Sequence, residues 1–292
     1  RVKIQQYIEQ TAKRMLKHDL FYGHGTDNPL DEAVYLIYTS LGIDFADGDQ
    51  DNRVLTDSEI SVLERAVNSR IEHRLPVAYI VGKAWFAGYA FYCDERALVP
   101  RSPIAELIRN RFEPVLSSDP LRILDLCAGG GSIGIASALE FADSQVDLAD
   151  ISVEALALAA DNIALYDLAD RVTTLQSDLF TAVDGKYDLI VSNPPYVSQQ
   201  EYDELPDEFL HEPALGLISE DEGLELPLRI MREAADYLNE AGVLVMEVGY
   251  SNELLAQRLE KVPLLWLQFD QGGEGVLALT ASQLQQYREC FK

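Results

Sequence analysis

Tyr187-Asp188-Leu189-Ile190-Val191-Ser192-Asn193-Pro194-Pro195-Tyr196 reads as a short buried strand that runs into a rigid polar turn. The apolar and small residues after Asp188 suit a central parallel strand covered on both faces. Pro194 and Pro195 then end it, because neither can donate to a strand ladder and each fixes φ at about −65°. Open α/β sheets place their chemistry at the carboxyl ends of such strands. Asn193 brings a side-chain carbonyl, and the Pro194 carbonyl meets no competing N–H from Pro195. Two such oxygens can grip both hydrogens of an –NH2 group and leave the nitrogen lone pair facing an electrophile. Tyr196 can close over a planar group by stacking. An Asn-Pro pair also opens ordinary strand-to-loop turns, so the chemical reading depends on a partner that supplies the electrophile.

That partner lies upstream, in Leu121-Arg122-Ile123-Leu124-Asp125-Leu126-Cys127-Ala128-Gly129-Gly130-Gly131-Ser132-Ile133-Gly134. An apolar strand ends in a Gly-rich turn that lets backbone approach a ligand, and a small-residue helix over 135–141 follows. Gly129, Gly131 and Gly134 satisfy the dinucleotide fingerprint, which alone is a weak signal. More telling are Asp125 at the strand end and Asp150 closing a second strand, about 20 residues on, where an acid binds ribose hydroxyls. A third strand ends in Asp178-Leu179-Phe180, placed for an adenine. Three successive strand ends around one crevice suit a nucleoside, although Asp150 and Asp178 taken singly also fit helix caps or turns.

Asp125 to Gly131, Asp150, Asp178 and Asn193 to Tyr196 together resemble the S-adenosylmethionine site and signature of Rossmann-like methyltransferases that modify planar amino groups. The resemblance implies that Asp125, Cys127, Ala128, Gly129, Gly131, Asp150, Asp178, Leu179 and Asn193 hold S-adenosylmethionine. It also implies that Asn193, Pro194, Pro195 and Tyr196 form the catalytic turn, with Asn193, Pro194 and Tyr196 against the substrate. Adenine DNA methyltransferases share such a signature, so the tetrapeptide leaves the substrate open. Residues 70–108 resemble the glutamine methyltransferases of the translation apparatus. Within them, Leu98-Val-Pro-Arg-Ser-Pro-Ile-Ala-Glu106 is similar to the branch acting on ribosomal protein uL3. The release-factor branch, the alternative, has Pro and Thr where Ser102 and Ile104 stand. His211-Glu212-Pro213 resembles the family's second substrate-side segment, which implies that Glu212 accepts a hydrogen bond from the glutamine or its neighbours.

The remaining chain is organised around this site. Ile4, Ile8, Met15 and Leu16, and then Ala33, Leu36, Ile37 and Ser40, recur at helical spacing. Thr56-Asp-Ser-Glu59 is a capping box that opens a third helix over 59–73. Residues 1–78 therefore read as a small helical domain, serving either substrate recognition or as a solubilising cap, 79–100 as a β-hairpin linker, and 101–292 as the Rossmann-like methyltransferase domain. In this last part, strands are expected near 121–127, 145–150, 171–177, 187–192, 242–248, 263–270 and 274–280. Alternation with helices makes the sheet mostly parallel. The last two strands are joined by only Gln271-Gly272-Gly273 and must run antiparallel.

Composition restricts the function classes. No run approaches a membrane span, and the basic start lacks the apolar segment of a signal peptide. Cys93, Cys127 and Cys290 lack CxxC spacing, and His18, His24 and His73 are scattered, so neither a disulfide framework nor a metal site is expected and a cytoplasmic enzyme is. The 49 acidic and 23 basic residues give a formal charge of −26. Duplex nucleic acid is bound by neutralising phosphates with cations, which disfavours a nucleic-acid methyltransferase. No Lys or Arg occurs from Tyr187 to Leu228, a stretch rich in acids beginning with Glu201, Asp203 and Glu204. It reads either as a solvated loop or as a surface that steers a basic protein to the turn. A ribosome-assembly factor that binds without catalysis is disfavoured by the intact Asn193–Tyr196 turn.

Overall fold

The computed structural model describes residues 2–48 and 50–292. Helix α1 (Ile4–Leu16) turns Ile4, Tyr7, Ile8, Ala12 and Met15 inward at helical spacing. Helix α2 (Pro29–Leu41) starts with proline in its first turn, and the Asn28 side chain caps it by accepting from the Asp31 N–H. Helix α3 (Asp57–Glu72) opens on the expected capping box, two residues earlier than the sequence suggested. These helices share one core with the short helix α4 (Val77–Val81) and with Ala84, Cys93 and Val99.

Helix α4 is a correction to the sequence reading, which placed a hairpin from Tyr79 onward. Pro76 presets its entry, Gly82 ends it in the left-handed region, and Val77 and Ala78 are buried against the helices. This packing overrides the strand preference of a Val-Ala-Tyr-Ile-Val run. The hairpin is shorter, with β1 (Lys83–Phe86) and β2 (Tyr89–Tyr92) antiparallel across Ala87-Gly88. Helix α5 (Ile104–Arg109) follows directly after Pro103.

Beyond it run β3 (Arg122–Leu126), α6 (Ser132–Glu140), β4 (Gln145–Asp150), α7 (Val153–Leu165), β5 (Val172–Gln176) and β6 (Tyr187–Ser192). The chain continues through α8 (Gln199–Asp203), α9 (Glu225–Ala234), β7 (Leu238–Glu247), α10 (Asn252–Arg258), β8 (Leu265–Trp266), β9 (Val276–Thr280) and α11 (Ala281–Gln286). The seven strands order as β5-β4-β3-β6-β7-β9-β8, parallel except for β9, which lies antiparallel between β7 and β8. Side chains alternate to two cores, as the pleat requires. Ile123, Leu189, Val191, Val243 and Val245 face α5, α6 and α7, while Leu124, Leu126, Ile190, Leu244 and Met246 face α9, α10 and α11. Each such fully buried side chain contributes about 1.5–3 kcal/mol, so these strands anchor the domain.

The strand expected over 263–270 shrinks to the two residues of β8, paired as Leu265↔Ala278 and Trp266↔Leu277. Both sit at the sheet edge, where little pairing holds a strand in place. Strand order reverses between β4 and β6 around β3, so a crevice opens at the carboxyl ends of β3 and β6. Both motifs that begin the sequence reading end there.

Candidate active site

A cleft of ≈ 570 Å³ occupies this crevice, a size typical of small-molecule sites. Cys127, Ala128, Gly129, Asp150, Asp178, Leu179, Asn193, Pro194, Pro195 and Tyr196 all line it. Four strand ends therefore bring most of the predicted residues to one space, although 69 positions separate Cys127 from Tyr196 in the chain. After β3 the backbone turns through positive φ at Cys127, Gly129 and Gly131 before α6 begins. The Ala128 and Gly131 N–H groups are taken by the Ala149 and Ala128 carbonyls, and Gly131, expected at the cofactor, is buried against Leu148 and Ile135 off the cleft wall. Asp150 braces that turn from the next strand: its carboxylate accepts from the Gly129 N–H at 2.8 Å and the Ser152 N–H at 2.9 Å. Burial raises the Asp150 carboxyl above the ordinary range, against the pull of those N–H groups. Asp178 is half-exposed and pairs with Arg229 at 2.9 Å.

Asp125 has a different place from the one expected. It is fully buried beneath the turn and is absent from the cleft wall. Its Oδ2 accepts from the Gly134 N–H at 2.8 Å, pinning the first turn of α6 to β3. Its Oδ1 has no protein partner among the described residues. Burial pushes this carboxyl up to about 8, against the pull of the Gly134 N–H.

The Asn193–Tyr196 turn is held from behind. Pro194 and Pro195 are buried, and Asn193 is part-exposed at the cleft. The Ser251 hydroxyl donates to the Tyr196 carbonyl at 3.0 Å. A Cβ on Gly223 would lie 2.1 Å from that carbonyl oxygen, and one on Gly249 would lie 2.6 Å from the Tyr196 ring. Only glycine permits this approach at either position, which explains why the turn rests directly on backbone.

Two side chains overlooked in the sequence complete the wall. Glu247, at the end of β7, accepts from the Tyr196 hydroxyl at 3.0 Å and from the Ser102 hydroxyl. Burial raises its carboxyl, opposed by those two hydrogen bonds. The available signal was its position: an acid closing a buried strand, as Asp150 closes β4. Arg101, next to Ser102, lies 5.3 Å from the Phe209 ring centroid and lines the cleft.

Glu212 requires a second correction, since it does not reach the cleft. Its Oε1 takes His24 Nε2 at 2.7 Å and Arg101 Nη2 at 2.8 Å. Its Oε2 takes the Val99 N–H at 2.9 Å and Arg101 Nη1 at 2.7 Å. Burial alone would raise this carboxyl, but Arg101 and His24 bring it down to about 2. With every acceptor used, Glu212 positions Arg101 and has nothing left for a glutamine. Glu208 is buried likewise, against Arg70 and the Phe21 N–H. The acidic segment thus divides into internal anchors and an exposed set that includes Glu201, Asp203, Glu204, Glu220, Glu222 and Glu225.

The cleft suits a nucleoside cofactor. Its Gly-rich turn brings backbone close along the wall, and Asp150 offers acceptor lone pairs for hydroxyls. Among the described residues no His, Cys, Asp and Glu side chains gather into a metal-binding group, and no helix is long and apolar enough to cross a membrane.

A family model described as "Methyltransferase small domain" matches residues 112–223. A ribosomal protein uL3 glutamine methyltransferase of Francisella tularensis is 44% identical over 294 residues, covering 99% of this chain and 93% of its own. One from Xanthomonas campestris is 45% identical, covering 95% of this chain and 91% of its own. Among solved structures, the catalytic domain of hMettl16 in complex with MAT2A 3'UTR hairpin 1 aligns with a TM-score of 0.51 at 13% identity. That alignment spans 95% of this chain and 91% of the other, and it speaks for the fold alone.

Proposed function

The chain belongs to the family of ribosomal protein uL3 glutamine methyltransferases, and on that premise we propose a division of labour within its cleft. The enzyme transfers a methyl group from S-adenosylmethionine to the side-chain amide nitrogen of a glutamine in uL3. The observation that carries this reading is the juxtaposition of the Gly-rich turn after β3 with the Asn193–Tyr196 turn after β6 in one cleft. The release-factor alternative is not favoured, because the full-length relatives carry the uL3 name.

S-adenosylmethionine supplies an electrophilic methyl group on a sulfonium sulfur. The protein's own residues have two tasks, to hold that cofactor and to aim a weak nucleophile at it. Asp150 and the close-lying backbone of the Gly-rich turn would hold the nucleoside end, and Asp178 and Leu179 would line the space for the base. An amide nitrogen is a poor nucleophile because its lone pair is delocalised into the carbonyl. Asn193 Oδ1 and the Pro194 carbonyl accept its two hydrogens, which favours pyramidal nitrogen with growing positive charge. Orientation of this kind supplies up to about 7–11 kcal/mol, so no strong base is needed. Tyr196, tethered to Glu247, forms a flat wall for the planar amide. Arg101, held by Glu212, supports the linker that faces the turn. A ribosomal-protein substrate supports a cytoplasmic location, where ribosomal proteins are made.

Asp150→Ala is expected to weaken S-adenosylmethionine binding by roughly 1.5–3 kcal/mol, the scale of a hydrogen bond to a charged group. Calorimetry measures it directly, and an unchanged affinity would remove Asp150 from the ribose role. A second expectation concerns the exposed acids. If they steer a basic substrate, kcat/KM falls as salt rises, mainly through association. Reversing Asp203 and Glu204 to Lys should flatten that slope. Glu201 is best left intact, because it closes the capping box of α8 with Ser198. An identical slope in both proteins would make the stretch a solvated loop. The reaction itself is tested by incubating the enzyme with labelled cofactor and a ribosomal extract. Label on a protein other than uL3 would overturn the substrate assignment.

A further inference from the structure

A second recess, of ≈ 310 Å³, lies between the helical domain and the hairpin, and no step of the reaction uses it. Asp31, Tyr35, Phe45 and Trp85 line it with Val99 and Pro100, and the last two also line the reaction cleft. The two cavities therefore share one stretch of linker as a wall. The recess is floored by aromatic rings: Trp85 lies 4.9 Å from Phe45 and 5.6 Å from Tyr35 between centroids, both edge-on. Trp85 is 37% and Phe45 44% exposed, so the rings face outward without a covering element. The ammonium of Lys83, outside the recess lining, rests 4.9 Å from the Trp85 centroid, a cation–π geometry. Asp31 is exposed at the recess, and exposed Asp44 and Asp47 flank Phe45 in the chain.

We propose that this recess takes an arginine or lysine side chain from the substrate segment flanking the target glutamine. The inference rests on the protein substrate assigned above. The alkyl stem lies on Trp85 and Phe45, where apolar surface welcomes it, and the charge points to Asp31. Charge complementarity favours this occupant: the chain carries a formal charge of −26, and the recess adds a carboxylate to its aromatic floor. Continuity favours it too, since a polypeptide that presents a glutamine in the cleft meets Val99 and Pro100, which also wall the recess. An apolar side chain would fill the same space but make no use of Asp31.

Two measurements test this. Trp85→Ala and Asp31→Asn are compared with wild type on purified uL3, with thermal unfolding and cofactor affinity as controls for folding. Each should raise KM about tenfold, within the range of a partly desolvated cation–π contact or ion pair, while kcat changes less than about twofold. Trp85 and Trp266 are the two tryptophans of the chain, so in a Trp266→Phe background emission reports Trp85 alone. Titration with a synthetic uL3 peptide spanning the target glutamine should change that emission saturably. Replacing one particular Arg or Lys of the peptide by Ala should abolish the change. An unaltered KM in folded variants overturns the proposal. So does an emission change indifferent to every basic residue, which would mark an apolar occupant. Wild-type enzyme inactive on uL3 would overturn the assigned substrate, and this inference with it.

Discussion

Asn193→Ala is expected to lower the single-turnover rate of methyl transfer on the order of 10²-fold or more, the scale of deleting one preorganised polar contact. Asn193 lies at the end of β6 on the cleft wall. Removing its carboxamide would take away one of the two acceptors proposed to grip the amide and leave the Pro194 carbonyl in place. The Gly-rich turn is braced from β4 by Asp150 and stays intact. Cofactor affinity should therefore move by no more than about 1 kcal/mol, one neutral hydrogen bond. Asn193→Asp keeps an acceptor of similar shape and should retain more activity than the alanine variant. An alanine variant as fast as wild type in single turnover would end the amide-clamp mechanism.

Glu212→Ala should cost about 3–5 kcal/mol of folding stability, the penalty for breaking a buried ion pair from one side. The change strands Arg101, His24 and the Val99 N–H at once. The carboxyl titrates at its ordinary 4.5 in the unfolded chain and at about 2 when folded, so folding favours its ionised form. Its contribution is complete above pH 4.5 and is lost as pH falls through about 2. Urea unfolding as a function of pH should thus show a shallower acid decline in the variant than in wild type. A variant as stable as wild type at neutral pH would reduce the cluster to packing.

What could be read from the chain was whatever depends on near neighbours. The capping box at Thr56, the alternating strands and the antiparallel last pair are each settled within a few residues, by capping geometry, by pleat and by a connection too short to cross over. The two turns were legible because their chemistry is written consecutively. Helix α4 was not, since its strand-like residues become helical only when Val77 and Ala78 pack on the helical domain. Glu212 and Glu247 were misread or missed for one reason: their partners are remote. His24 lies 188 positions before Glu212, and Ser102 lies 145 before Glu247. No local period records such a pairing.

The anchors Glu208 and Glu212 also govern the order in which this protein can assemble. Arg70 is buried in the helical domain between Glu32, the Phe21 carbonyl and Glu208. The Phe21 N–H is likewise capped by Glu208, 187 positions later. A nascent chain emerges amino end first, so the helical domain leaves the ribosome with Arg70 paired to the Glu32 carboxylate alone and the Phe21 N–H uncapped, both awaiting Glu208. Closing a loop of that length is a late, entropically costly event that slows folding. The helical domain therefore reaches its final form only after the catalytic turn and the segment behind it have been made. In this enzyme, the part made first cannot be finished first.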